Sequence, residues 1–103
     1  MADLFVTRWA ETDLRRIWRY IAYDNPAAAD RILLRIDERM QILRRFPKIG
    51  ALRNDIRHGM RMLVEGNYLL LYEYDSRKDE VDLIAVIDGR RELSGLFLSL
   101  IHI

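Results

Sequence analysis

Apolar residues along the first 45 positions recur at helical spacing, and after position 60 they alternate as in strands. Leu4-Phe5-Val6 is a short apolar run and predicts a first strand. Thr7 is positioned to cap a helix running to about Tyr23, in which Leu14, Ile17, Trp18, Ile21 and Ala22 fall on one stripe. Asn25 and Pro26 supply the cap and first-turn residue of a second helix. Its stripe is Ala29, Ile32, Leu33, Ile36, Met40 and Leu43, and Pro47 and Gly50 end it. So short a connection implies an antiparallel helix hairpin.

From Ala51 to Gly59 the chain reads as irregular and basic. Met60–Val64, Tyr68–Tyr74 and Val81–Ile87 then read as strands. Glu65-Gly66-Asn67 is a tight hairpin loop and Asp75–Glu80 a longer polar one. Neither is long enough for a crossover, so the three strands should be antiparallel neighbours. The expected fold is α+β: an N-terminal strand and a helix hairpin packed on a mostly antiparallel sheet of about four strands. On this pattern Trp18 belongs to the core. Trp9 is nine positions away, about 900° around the helix at ~100° per residue, and so lies off the stripe. On the strand Tyr68–Tyr74, Tyr68, Tyr72 and Tyr74 share one face and Leu69 and Leu71 the other.

At 103 residues the chain has room for one domain, assigned to residues 1–97. The last six residues, Leu98–Ile103, match what translation of a transposon-library adapter (CTGTCTCTTATACACATC) would give. They are either an assembly scar or a short native strand. With no cysteine, disulfides and thiolate metal sites are excluded. No secretory pattern or membrane-length apolar run is present, so a cytoplasmic protein without membrane contact is expected.

The net charge of +1 hides an uneven distribution. Residues 1–43 balance seven acids against seven bases, whereas residues 44–61 hold six cations and only Asp55 as an anion. Fifteen of the seventeen cations are arginines, which favour planar, bidentate contacts. Arg53, Arg57 and Arg61 surround the entry to a strand, and Arg90 and Arg91 follow a glycine after the last one. Taken singly, each is an ordinary solvated arginine whose ion pairs contribute under about 1 kcal/mol. Gathered together, they would bind phosphates or a carboxylate-rich protein surface.

Three stretches carry a family likeness: Ile21-Ala22-Tyr23-Asp24-Asn25-Pro26-Ala27-Ala28-Ala29, Phe46-Pro47-Lys48-Ile49-Gly50 and Ile87-Asp88-Gly89-Arg90-Arg91-Glu92-Leu93. Together they resemble the ParE/RelE superfamily of bacterial toxins over nearly the whole chain. The last stretch, with the helical run Asp13–Ala22, is similar to the ParE-like subgroup. This resemblance implies a type II toxin that inhibits DNA gyrase by binding rather than by catalysis. It also implies a cognate antitoxin of the ParD type, with a ribbon-helix-helix start, and no cofactor or metal. On the superfamily's fold the two arginine groups converge on one side of the sheet. Arg53, Arg57, Arg61, Arg90 and Arg91 are then the target-binding residues, and Trp9 and Tyr20 the candidates for antitoxin contact.

Two alternatives accompany this reading. The first is a RelE-like, ribosome-dependent messenger-RNA endonuclease, in which His58 or a strand tyrosine supplies proton transfer that arginine cannot. Family nucleases place a tyrosine or histidine shortly after the terminal arginine; here Glu92-Leu93-Ser94-Gly95-Leu96-Phe97 follows, and His102 lies in the doubtful tail. His58 is otherwise an ordinary loop residue, and strand tyrosines more often serve packing. The second alternative is a non-toxic remnant that retains only antitoxin affinity.

Overall fold

The computed structural model describes residues 1–90. The C-terminal tail at 98–103 lies outside them, as does Arg91. Seven elements follow in order: β1 (Asp3–Val6), α1 (Arg8–Ala22), α2 (Pro26–Arg45), β2 (Ala51–Leu52), β3 (Arg61–Glu65), β4 (Tyr68–Asp75) and β5 (Glu80–Asp88). The sheet has five strands in the order β1-β5-β4-β3-β2; β1 runs parallel to β5 and all other neighbours are antiparallel. This is the expected α+β architecture with one more strand. β2 is a two-residue bridge inside the segment read as irregular, too short to leave an alternating pattern.

Local chemistry sets the element ends. The Thr7 hydroxyl accepts from the Ala10 amide and donates to the Leu83 carbonyl at 2.8 Å, so one buried side chain starts α1 and fastens it to β5. Asn25 accepts from the Ala28 amide and Pro26 opens α2. Gly66 occupies the β3–β4 turn at φ 60°, a conformation that costs glycine nothing.

Both helices cover one face of the sheet. Ala10, Ile36, Met40 and Leu43 pack there on Tyr68, Leu70, Tyr72, Val81 and Leu83. Among the described residues the other face carries no helix, and a smaller cluster forms where Ile56 and Met60 fold back over Leu71, Ile84, Ala85 and Ile87. A bulge opposite Leu71 and Tyr72 lets both Ile84 and Ala85 face this side, so alternation along β5 changes phase midway. Trp18 departs from expectation. It is 37% exposed, and its indole N–H donates to Asp30 at 2.8 Å, so it sits at the rim of the helix pair rather than in the core. The polar edge of an indole seeks an acceptor, and α2 provides one at the surface.

The loop after α2 is fastened from beneath. The fully buried Tyr72 donates its hydroxyl to the Pro47 carbonyl at 2.7 Å and accepts from the Gly50 amide at 2.9 Å. Arg61, directly across the strand pair from Tyr72, donates to the Gly50 carbonyl at 2.8 Å and the Lys48 carbonyl at 3.1 Å. Four bonds thus satisfy a turn that regular structure leaves unpaired. Gly50 is required for close approach, because a Cβ there would lie 2.7 Å from the Tyr72 ring and hydroxyl. Among the described residues no helix is long and apolar enough to cross a membrane.

Removing the phenol oxygen leaves a buried amide and carbonyl unpaired, so Tyr72→Phe should cost about 1–3 kcal/mol in urea unfolding. Gly50→Ala should cost more than Tyr72→Phe, because the ring cannot move aside; equal stability of either variant with the parent would contradict this packing.

Candidate functional site

The four described candidate arginines do not share one surface. Arg53 and Arg57 lie in the loop between β2 and β3, on the helix-free face. Arg53 grips Asp55 with two bonds of 2.9 and 2.7 Å and reaches the Met62 sulfur at 3.5 Å. The pairing raises the Arg53 pKa and lowers that of Asp55. Arg57 donates to Glu73 at 2.6 Å, and each of the two side chains is about one-third exposed. The Glu73 carboxylate therefore neutralises one of the candidates. Arg61 is on the helix side, committed to the loop carbonyls described above.

Arg90 stands at the other end of the sheet. Arg61 pairs with Tyr72, whereas Tyr68, four residues back along β4, pairs with Asp88; that offset is roughly 13 Å at ~3.3 Å per residue. The convergence expected from the family fold is therefore absent for Arg61 and Arg90. The reason is strand direction: β3 and β5 are both antiparallel to β4 and run the same way, so the start of β3 and the end of β5 lie at opposite ends of the sheet.

The Arg90 corner is nonetheless built with care. The Gly89 amide donates to the Asn67 carbonyl at 2.7 Å, and the Arg90 amide donates to the Asp88 carboxylate at 3.0 Å. These bonds fix the backbone while the side chain stays 62% exposed, with its Nε 3.4 Å from Asp88. Arg53 and Arg57 are each only 30% exposed. Arg90 lies within electrostatic reach of Tyr20 and Tyr68, and the Asp88 carboxylate raises its pKa. Arg39 joins α2 to the adjoining hairpin through Glu65 at 3.0 Å.

Trp9 and Tyr20 are 50% and 59% exposed. They are eleven positions apart, about 1100° at ~100° per residue, and therefore line one face of α1. Between them Asp13 accepts the Val86 amide at 3.0 Å, past the point where β1 stops pairing with β5; burial raises its pKa. His58 is exposed in the loop before β3, at the Arg61 end. The hydroxyls of Tyr72 and Tyr74 are engaged with Pro47 and Asp79, and the pKa of each is raised, by burial for Tyr72 and by the Asp79 carboxylate for Tyr74.

Asp13 and Asp82 were not singled out in the sequence. An isolated acid in a helix or strand reads as solvated, and only the fold puts Asp13 against a bare amide or Asp82 beside Glu80 and Glu73. Burial, with Glu80 next, pushes the Asp82 carboxyl up to about 6, and its Oδ1 is buried without a hydrogen-bond partner among the described residues.

A family model described as "ParE toxin of type II toxin-antitoxin system, parDE" matches residues 4–93. The chain is also 30% identical over 95 residues to Toxin ParE3 of Caulobacter vibrioides, covering 91% of this chain and 93% of that protein. Its fold matches a structure from the chromosomal ParDE TA system of P. aeruginosa with a TM-score of 0.71. That likeness has 23% identity and covers 85% of this chain and 96% of the other. The chain belongs to the ParE family, the toxins of type II toxin–antitoxin systems.

Asp82 gives a pH signature. Unfolded, this carboxyl loses its proton near its ordinary pKa of 3.8; folded, it keeps it until about 6. The folded state thus binds more protons in between, and this group's contribution to stability falls as pH rises from about 4 to 6. Asp82→Asn should raise the unfolding temperature at pH 7.5, with the gain shrinking towards pH 4. A gain independent of pH, measured by calorimetry, would show that Asp82 titrates normally.

Proposed function

We propose that this ParE-family toxin inhibits DNA gyrase by binding in the cytoplasm and is neutralised by a small ParD-like antitoxin of the ribbon-helix-helix type. The observation that carries the proposal is Arg90: a guanidinium held on a fixed backbone at the sheet corner, with most of its surface in solvent. Arg91 is the next residue in sequence. A cation presented this way favours recognition of carboxylate or phosphate by charge-assisted hydrogen bonds. Arg53 and Arg57 add to target contact from the other end only by exchanging their carboxylate partners, and Arg61 only by leaving its loop.

The binding reading is preferred to cleavage on the same geometry. Proton transfer from a 2′-hydroxyl wants a group with a pKa near neutrality. Tyr72 and Tyr74 have raised pKa values and hydroxyls already bonded, and His58 sits at the Arg61 end of the sheet. For neutralisation, the Trp9–Tyr20 face of α1 suits a disordered antitoxin segment that folds on contact. Tyr20 neighbours Arg90, so a segment lying on Tyr20 would cover the tip as well.

Expression without antitoxin should produce filamentous cells with an induced DNA-damage response. Prompt translation arrest with cut messages would instead indicate the nuclease, and undisturbed growth the non-toxic remnant. Arg90→Ala with Arg91→Ala removes charged hydrogen bonds worth roughly 1.5–3 kcal/mol each, enough to weaken target binding at least about tenfold. Toxicity should fall while antitoxin capture persists; unchanged growth arrest would place the target face elsewhere.

A further inference from the structure

Beyond the toxin reading, a cleft at the far end of the sheet from Arg90 has no assigned role. It lies where α2 ends, with Phe46, Pro47, Lys48 and Ile49 forming one wall, Tyr74 and Ser76 the other, and Arg45 on the rim; its volume is about 540 Å³. Tyr74 is six residues along β4 from Tyr68, the residue paired with Asp88, which is roughly 20 Å at ~3.3 Å per residue. The cleft is therefore a separate surface from the arginine tip.

Three observations describe what it fits. Its floor does not adapt, because the turn from Pro47 to Gly50 is fixed by the hydroxyl of buried Tyr72 and the guanidinium of Arg61. On this rigid turn Phe46 and Ile49 stand 59% and 53% exposed, an apolar pair without cover among the described residues. The rim is cationic: Arg45 and Lys48 enter none of the ion pairs among the described residues. The acids nearby already have partners: Asp75 accepts from the amides of Arg77 and Lys78, and Asp79 accepts from the hydroxyl of Tyr74 on the cleft wall. Small-molecule sites bury most of their ligand, whereas walls this exposed make a shallow seat suited to one anchoring side chain of a longer chain.

We infer that this cleft docks an extended acidic segment of a partner protein, seating one large apolar side chain between Phe46 and Ile49 with flanking carboxylates on Arg45 and Lys48. Pre-organisation of the turn lowers the ordering cost of the contact, and the charges set the partner's preference.

The test is an NMR titration of the purified full chain with the peptide Asp-Glu-Phe-Leu-Glu-Asp, its ends blocked. Saturable shifts should centre on Phe46, Ile49 and Tyr74. A peptide with Ser-Ser in place of Phe-Leu, or with lysines in place of the acids, should bind at least about fivefold more weakly. Lys48→Glu, an exposed change that leaves the fold intact, should weaken the acidic peptide by a similar factor, and Arg90→Ala should leave it unchanged. The inference is overturned by no shifts at millimolar peptide, by equal binding of the control peptides, by shifts centred on Trp9 and Tyr20, or by phenylacetate binding as tightly as the peptide. Toxicity plays no part in this readout, so failure of the gyrase reading and failure of the cleft are told apart.

Discussion

The phenol oxygen of Tyr72 ties the helical half of the chain to the sheet. It takes the Gly50 amide and gives its proton to the Pro47 carbonyl, while Arg61 on the neighbouring strand closes the same turn from its other carbonyls. An unpaired amide at buried Gly50 would be costly, and the two side chains supply four of the turn's hydrogen bonds. The consequence reaches the functional site, because an arginine committed to holding a loop is withdrawn from contact with a target. Among the candidate arginines, exposure together with existing partners separates Arg90 from Arg53, Arg57 and Arg61.

Much of this architecture was legible in the chain. Helix stripes, the Thr7 and Asn25 caps and the alternating strands all rest on local periodicity or capping chemistry, and they stand where the sequence put them. The tyrosine and leucine faces of β4 also follow from simple alternation. β2 escaped notice because two residues cannot make a pattern. Trp18 was placed in the core because periodicity ignores the indole N–H, which found Asp30 at the surface. The arginines were harder still. Whether two guanidiniums meet depends on strand direction and register, and neither is written in composition. Arg61 and Arg90 sit at opposite ends of an antiparallel ladder, and Glu73, Asp13 and Asp82 gain their roles only from neighbours distant in sequence.

The resulting molecule presents different chemistry at its two ends. At one, a guanidinium on a pinned turn adjoins the aromatic face of α1; at the other, a rigid apolar cleft carries a cationic rim. Between them the helix-free face is largely self-neutralised by the Arg57–Glu73 pair, with the high carboxyl of Asp82 beside it.

The division between structural and presented cations is tested most directly by two single variants measured in both stability and toxicity. Arg61→Ala should lower unfolding free energy by about 1–3 kcal/mol, since it strands the part-buried Gly50 carbonyl. Arg90→Ala should leave the urea midpoint unmoved while relieving growth arrest. A destabilised Arg90→Ala, or an Arg61→Ala that folds as firmly as the parent and loses toxicity, would contradict the account.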